Sequence, residues 1–285
     1  VIPTAFTYER AKSVDEALAM LQAGKGAGKL IAGGHSLVPL MKLRLSEPPM
    51  LVDIGRIPEL QGVRQTGDTI EIGAGTVHHD VASSPLLRER CPVVAQTAAE
   101  IGDPQVRNRG TLGGSLAHAD PAGDYPAAML AVDAAIHLKG SEGSRVVKAT
   151  DFFQGPFTVD LAPDEIIVSV QFAPAPTSAY AKLHQRASHF AIVGVAAAVE
   201  LGQGVIQSAR IGLTGAGPCA VRLRNVEKAL AGRAPTSATI AAACETAGAD
   251  LTDINADIHA SEAYRRAMIS VFTRRALERA VSSLQ

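Results

Sequence analysis

The chain has 285 residues, 47% of them hydrophobic and 19% charged, which allows two or three packed units and excludes a disordered protein. Its 27 basic and 28 acidic side chains leave a formal charge of −1, and with no basic arm or aromatic series nucleic-acid binding is not expected. No apolar run approaches the roughly 20 residues that span a bilayer.

Val1-Ile2-Pro3-Thr4 lacks the charged and apolar regions of a signal peptide. Ser13-Val14-Asp15-Glu16 has capping-box spacing ahead of Ala17, Leu18 and Leu21, which predicts a helix. Residues 29–32 read as a strand entering the segment Gly33-Gly34-His35-Ser36. Residues 50–53 read as another strand, after the break at Pro48-Pro49. A strand–helix–strand unit over 1–54 follows. Residues 69–74 alternate with period two, as a half-buried strand does. Residues 92–101 read as a helix that opens on proline. The second glycine segment, Thr111-Leu112-Gly113-Gly114-Ser115, reads as a loop after it. Residues 165–172 form a strand, and Ala173-Pro174-Ala175-Pro176-Thr177-Ser178 is the linker candidate that ends a second unit, 55–177. The third unit, 178–285, reads as strands over 181–186, 194–201 and 205–213. Helices over 221–231, 237–247 and 261–282 follow, an α+β pattern.

Both glycine segments pair their glycines with small hydroxyl residues. Converging backbone N–H groups form nests for anionic oxygen, and Ser36, Thr111 and Ser115 add hydroxyl donors. Two such segments suit a diphosphate held from both sides, as in a dinucleotide; ordinary turns are the competing reading in a chain with 26 glycines. Neither G-x-x-x-x-G-K-[ST] nor G-x-G-x-x-G is present, so a P-loop and a Rossmann crevice are disfavoured. Gly34-His35-Ser36-Leu37-Val38 starts like a nucleophile elbow but lacks its final glycine. His78-His79-Asp80 and His118-Ala119-Asp120 look like metal ligands, yet adjacent histidines on a strand point to opposite faces. A structural or hydrogen-bonding role is favoured for them over metal binding. Asp124 suits either the hydroxyls of a ribose or ribityl chain or the N-cap of a helix over 125–131. Lys182 and Arg186 share one face of a predicted strand, toward an anionic ligand or toward solvent. Cys91, Cys219 and Cys244 are widely spaced; they fit no zinc or iron–sulfur spacing and read as free thiols in a reducing cytoplasm.

Residues 32–44, and residues 103–121 from Asp103-Pro104-Gln105 to His118-Ala119-Asp120-Pro121, resemble the two flavin motifs of the FAD-binding medium subunits of molybdenum hydroxylases. This is the family of the carbon monoxide dehydrogenase medium subunit and the xanthine dehydrogenase FAD domain. Gly215-Ala216-Gly217-Pro218 and Ala263-Tyr264-Arg265-Arg266 match its C-terminal domain. The resemblance implies an α+β, vanillyl-alcohol-oxidase (PCMH) type FAD-binding fold: two α/β subdomains plus a C-terminal antiparallel sheet with helices. It implies that Ala32, Gly33, Gly34, His35, Ser36 and Leu37 surround the FAD pyrophosphate. Gly110, Thr111, Leu112, Gly113, Gly114 and Ser115 would approach both pyrophosphate and flavin. Asp124 falls on the ribose-binding position, which reverses the balance against a cap. Ile101, Leu161 and Lys182 match further lining positions, and Phe190 lies where relatives carry an aromatic near the flavin ring. Ser188-His189 stands where many relatives have Gly-Asp. No catalytic or metal-binding residue is expected on this chain. Molybdopterin would sit on a large subunit and [2Fe–2S] clusters on a small one, in a dimer of heterotrimers. Substrate would be oxidised on another subunit, and FAD would relay electrons from iron–sulfur to quinone, NAD or oxygen. A carbon monoxide dehydrogenase-like complex is the leading expectation, cytoplasmic or held at the inner membrane face through the complex. An aldehyde, purine or N-heterocycle dehydrogenase, a stand-alone FAD oxidase and a subunit without cofactor are the alternatives.

Overall fold

The computed structural model describes residues 2–282. Val1 and residues 283–285, the ends of the first and third expected units, lie outside the described residues. The helix Val14–Ala23 forms where the capping box predicts it. Ser13 Oγ accepts from Glu16 N at 3.1 Å, and the Glu16 carboxylate accepts from Lys12 N at 2.6 Å. Val14, Ala17, Leu18 and Leu21 form its buried face. This helix connects into a three-stranded parallel sheet ordered Thr7–Arg10, Met50–Asp53, Gly28–Ile31. The strand Thr7–Arg10 is absent from the sequence reading because all four of its side chains are exposed and show no apolar alternation.

A five-stranded antiparallel sheet follows, ordered Val63–Thr66, Thr69–Gly73, Ile166–Phe172, Ala135–Gly140, Gly143–Lys148. Ile166–Phe172 runs through its centre, buried on both faces. His78–Ser83 is a helix rather than a strand, so opposite-face geometry does not apply to His78 and His79. Helix Pro92–Ala99 forms as expected. The second glycine segment is not a loop: Leu112–His118 is helical, with Gly113 and Gly114 in its first turn.

The third region is a four-stranded antiparallel sheet, Ser178–His184, Ala191–Gly202, Val205–Thr214 and Val221–Arg222, followed by helices Arg224–Leu230, Ser237–Cys244 and Glu262–Ser282. Along Ala191–Gly202 the side chains alternate between two cores. Val193, Val195, Ala197 and Val199 meet the C-terminal helices, while Ala196 and Ala198 join the core of the middle region. That second face carries the helix Tyr125–Ala131, every residue of which is buried. Close approach requires Gly212, where a Cβ would lie 2.1 Å from Ala127 O. The expected linker is packed as well. Ala175 N donates to Arg90 O at 2.8 Å, and Ser178 Oγ accepts from Val93 N and donates to Ala175 O.

Candidate functional site

Strand Gly28–Ile31 delivers the first glycine segment, and helix Leu37–Lys42 leaves it. Gly34 is left-handed at φ +76°, and a Cβ on Gly33 would stand 2.2 Å from Arg109 O. The segment thus rides directly on the backbone that precedes Thr111. Among the described residues, the N–H groups of Gly33, Gly34, His35, Ser36 and Leu37 have no hydrogen-bond partner within the chain. Ser36 does not cap the helix with its side chain, so its hydroxyl is uncommitted too. A run of unpaired donors around a left-handed glycine is the arrangement of an anion nest.

The second segment differs. Leu112 N donates to Thr76 O, Gly113 N to Ala74 O, Gly114 N to Thr111 Oγ1 and Ser115 N to Thr111 O. Thr111 is a helix N-cap, and its neighbours' donors are consumed inside the protein. The expectation that both segments offer converging N–H groups is corrected here: the first does, the second does not. Its glycines serve packing instead. A Cβ on Gly113 would lie 2.6 Å from Ala74 Cβ, and one on Gly110 would lie 2.5 Å from His78 Nε2. Gly114 is exposed and has only Thr111 Oγ1 nearby, at 2.8 Å from its missing Cβ.

Both segments wall one cavity of about 440 Å³, within the size range of cofactor sites. The structure brings Ala32, Gly33, Gly34, His35, Ser36, Leu37, Ile101, Gly110, Thr111, Gly113, Gly114, Ser115, Asp124, Leu161 and Phe190 to its lining. It does not bring Leu112 or Lys182 there. Leu112 is fully buried in the middle core, because its place at the start of a helix turns it inward while its N–H pairs with Thr76. Lys182 lies behind the lining, with 1% of its side chain exposed. Arg186 falls beyond the strand and is exposed, so it shares no face with Lys182.

Lys182 reaches the cavity through Asp124. Its Nζ donates to Asp124 Oδ2 and to Glu100 O, both at 2.9 Å, and Tyr180 OH donates to Asp124 Oδ1 at 2.5 Å. Asp124 stands at the N-terminus of helix Tyr125–Ala131, but its side chain makes no capping bond. Burial pushes the Asp124 carboxyl above the usual range, opposed by Lys182 and Tyr180. Burial, with the Asp124 charge beside it, also pushes the Tyr180 hydroxyl well above its ordinary value. The carboxylate is therefore fixed in orientation before any ligand arrives.

The sequence reading missed the lining residues Ala74, Gly75, His78, His118 and Gly123. The sequence favours a structural or hydrogen-bonding role for His78 and His118 over metal binding and does not place them at the cofactor; among the described residues no three His, Cys, Asp or Glu side chains are placed to hold a metal ion. Burial, with smaller contributions from nearby His35 and Arg107, drives the His78 pKa down to about 4. Over the cavity stands the turn that ends in Phe190. Gln185 N donates to Phe190 O at 2.8 Å, and His189 N to Gln185 O at 2.9 Å. His189 takes φ +62°, a conformation His tolerates better than most side chains, and stacks on His184 with ring centroids 5.4 Å apart.

Comparison with known proteins fits this geometry. Residues 4–175 match the family described as FAD binding domain in molybdopterin dehydrogenase, and residues 178–280 match the CO dehydrogenase flavoprotein C-terminal domain. The chain belongs to this family of FAD-binding oxidoreductase subunits. It is 42% identical over 284 residues to the carbon monoxide dehydrogenase medium chain of Hydrogenophaga pseudoflava, with 98% of each chain covered. It is 38% identical to the 6-hydroxypseudooxynicotine dehydrogenase complex subunit alpha of Paenarthrobacter nicotinovorans, covering 98% of this chain and 95% of that one. The solved Hydrogenophaga pseudoflava carbon monoxide dehydrogenase that lacks the Mo-pyranopterin moiety superposes with a TM-score of 0.94 at 41% identity, 99% of each chain being covered. The fold is thus the FAD-binding type with a C-terminal flavoprotein domain, and the residues of the cavity fit FAD. The fit rests on the molecule itself: the unpaired N–H row of residues 33–37 suits a diphosphate, and the buried Asp124 carboxylate suits hydroxyl groups. No helix among the described residues is long and apolar enough to cross a membrane.

Proposed function

We propose that this chain is the electron-transfer subunit of a heterotrimeric molybdenum hydroxylase of the carbon monoxide dehydrogenase kind, with two such heterotrimers pairing. Its partners would be a large molybdopterin-binding subunit, where substrate is oxidised, and a small [2Fe–2S] subunit that passes electrons on. The chemistry that bound FAD supplies is acceptance of single electrons and their release as a pair to an external acceptor. The observation that carries the reading is the row of unpartnered N–H groups at residues 33–37, facing a wall built by residues 110–115.

In this reading residues 33–37 bind the diphosphate. Asp124, held by Lys182 and Tyr180, accepts hydrogen bonds from a ribose or ribityl hydroxyl. Gly114 and Ser115 leave room along the second wall, while Ile101, Leu161 and Phe190 exclude water from the apolar part of the cofactor. The division into units 1–54, 55–177 and 178–285 belongs to the same reading, and the two family matches, which meet between residues 175 and 178, support its second boundary.

Purification of the chain alone and with its two partner subunits tests the proposal. We expect a yellow protein in both cases, with flavin bleaching under carbon monoxide only in the full complex. Bleaching of the isolated chain by a substrate would instead make it a stand-alone FAD enzyme. A complex that is reduced by an N-heterocycle and not by carbon monoxide would keep the relay and change the substrate.

A further inference from the structure

We propose that His78 is a cofactor-binding residue whose imidazole Nε2–H donates a hydrogen bond to the FAD diphosphate, at the seam between the two glycine segments. The inference rests on the reading that residues 33–37 hold that diphosphate.

His78 is 4% exposed yet lines the cavity. Its backbone is pinned at the seam, because His78 N donates to Gly110 O at 2.9 Å. Gly33 lies against Arg109 and Gly110, and Gly110 lies against His78 Nε2. A continuous stack therefore runs from the donor row of the first segment to this imidazole. Neither ring nitrogen has a hydrogen-bond partner among the described residues, and Nδ1 is buried without one.

A buried polar side chain is ordinarily paired, so an unpaired one at a cavity wall calls for a ligand. The Tyr125 hydroxyl is also buried and unpaired, and its ring centroid is 5.3 Å from that of His78. A proton on Nε2 places the donor on the side of Gly110, against which that nitrogen packs. Burial, with smaller contributions from the nearby His35 and Arg107, disfavours a second proton on the ring while the site is without an anion. An uncharged donor binds a diphosphate without adding a fixed cation to a wall that must also accept the uncharged parts of FAD.

Two variants separate ligand binding from folding. His78→Leu removes both nitrogens at similar volume, whereas His78→Gln keeps an amide nitrogen near the place of Nε2. FAD titrated into the ligand-free flavoprotein, followed by quenching of flavin fluorescence, should show His78→Leu binding about tenfold more weakly, the order expected for a lost hydrogen bond to a charged group. His78→Gln should stay within about threefold, because the donor remains. The ligand-free His78→Leu protein should melt no lower than the parent, since a buried unpaired polar group has gone. In the FAD-bound proteins the ³¹P resonances of the diphosphate should shift in His78→Leu and hold in His78→Gln. Unchanged affinity and unchanged ³¹P resonances in His78→Leu would overturn the inference alone. So would equal weakening in both variants together with a lower melting point without ligand, which marks a purely structural histidine. A parent protein that takes up no FAD would overturn the underlying reading as well.

Discussion

The two walls of the cavity are written in similar residues and built in opposite ways. The wall at residues 33–37 leaves five consecutive backbone donors unpaired. The wall at residues 110–115 commits the N–H groups of Gly110, Leu112, Gly113, Gly114 and Ser115 to Val106, Thr76, Ala74 and Thr111 and anchors in the middle core through Leu112. One wall presents unpaired donors to the cavity and the other is protein interior with a face exposed to the cavity. A Gly-Gly pair beside a hydroxyl residue therefore fixes neither role; the partner of each N–H does.

The largest effect should come from the buried ion pair behind the cavity lining. Lys182→Met leaves the buried Asp124 carboxylate without its cation, and breaking one side of such a pair typically removes about 3–5 kcal/mol of stability. Urea unfolding of the ligand-free protein measures this. A loss below about 1 kcal/mol would mean that the pair behaves like a surface bridge and that the ground behind the cavity is softer than its burial indicates.

The glycines separate the walls next. Gly33→Val drives a side chain into the Arg109 carbonyl and the Gly110 backbone, which cannot move aside as a flexible side chain can. It should remove about 3 kcal/mol of stability and abolish FAD retention. Gly114→Val meets only the Thr111 hydroxyl and projects from an exposed position. It should unfold within about 1 kcal/mol of the parent and still lose FAD. If Gly114→Val retains full flavin, the second wall does not approach the cofactor.

Acid should act through the seam. His78 is held near a pKa of about 4, below the ordinary 6.5, so between those values the unfolded chain binds a proton that the folded chain does not. Stability then falls as pH drops through that window, by about 3 kcal/mol for this group. Denaturant titrations at pH 7 and pH 4 should show a steeper loss in the parent than in His78→Leu, and equal losses would place the acid sensitivity elsewhere.

Much of the fold was legible because it depends on local pattern. Ser13 and Glu16 marked a helix start, and the apolar run around residues 166–172 marked a central strand. The exposed strand Thr7–Arg10 carried no such pattern. Gly113 and Gly114 argued against a helix by propensity, each weakening one by about 1 kcal/mol relative to alanine. Packing on Ala74 overrides that preference, and contacts made across that sequence distance leave no periodic trace. The site divides in the same way. The glycine segments were visible as composition and, through family resemblance, as a flavin site. The Asp124–Lys182 pair spans 58 positions, and only the resemblance tied both residues to one cofactor. His78 was visible solely as half of a histidine doublet, since the two orphaned nitrogens that single it out exist only once the chain is folded.

The smallest effect gives the sharpest separation of the walls, because it compares two hydroxyls in equivalent motifs. Thr111 Oγ1 accepts from Gly114 N at 3.1 Å as an N-cap, so Thr111→Ala should lower stability by about 1 kcal/mol. Ser36 makes no capping bond, so Ser36→Ala should leave the ligand-free protein unchanged within about 0.5 kcal/mol. In FAD affinity the order should reverse, with Ser36→Ala weakening binding several-fold and Thr111→Ala changing it less. Paired melting and fluorescence titrations on the two variants decide the matter. If both hydroxyls prove to be caps, the first wall is structural after all; if both act only on FAD, the second wall binds as the first does, and the asymmetry between them is lost.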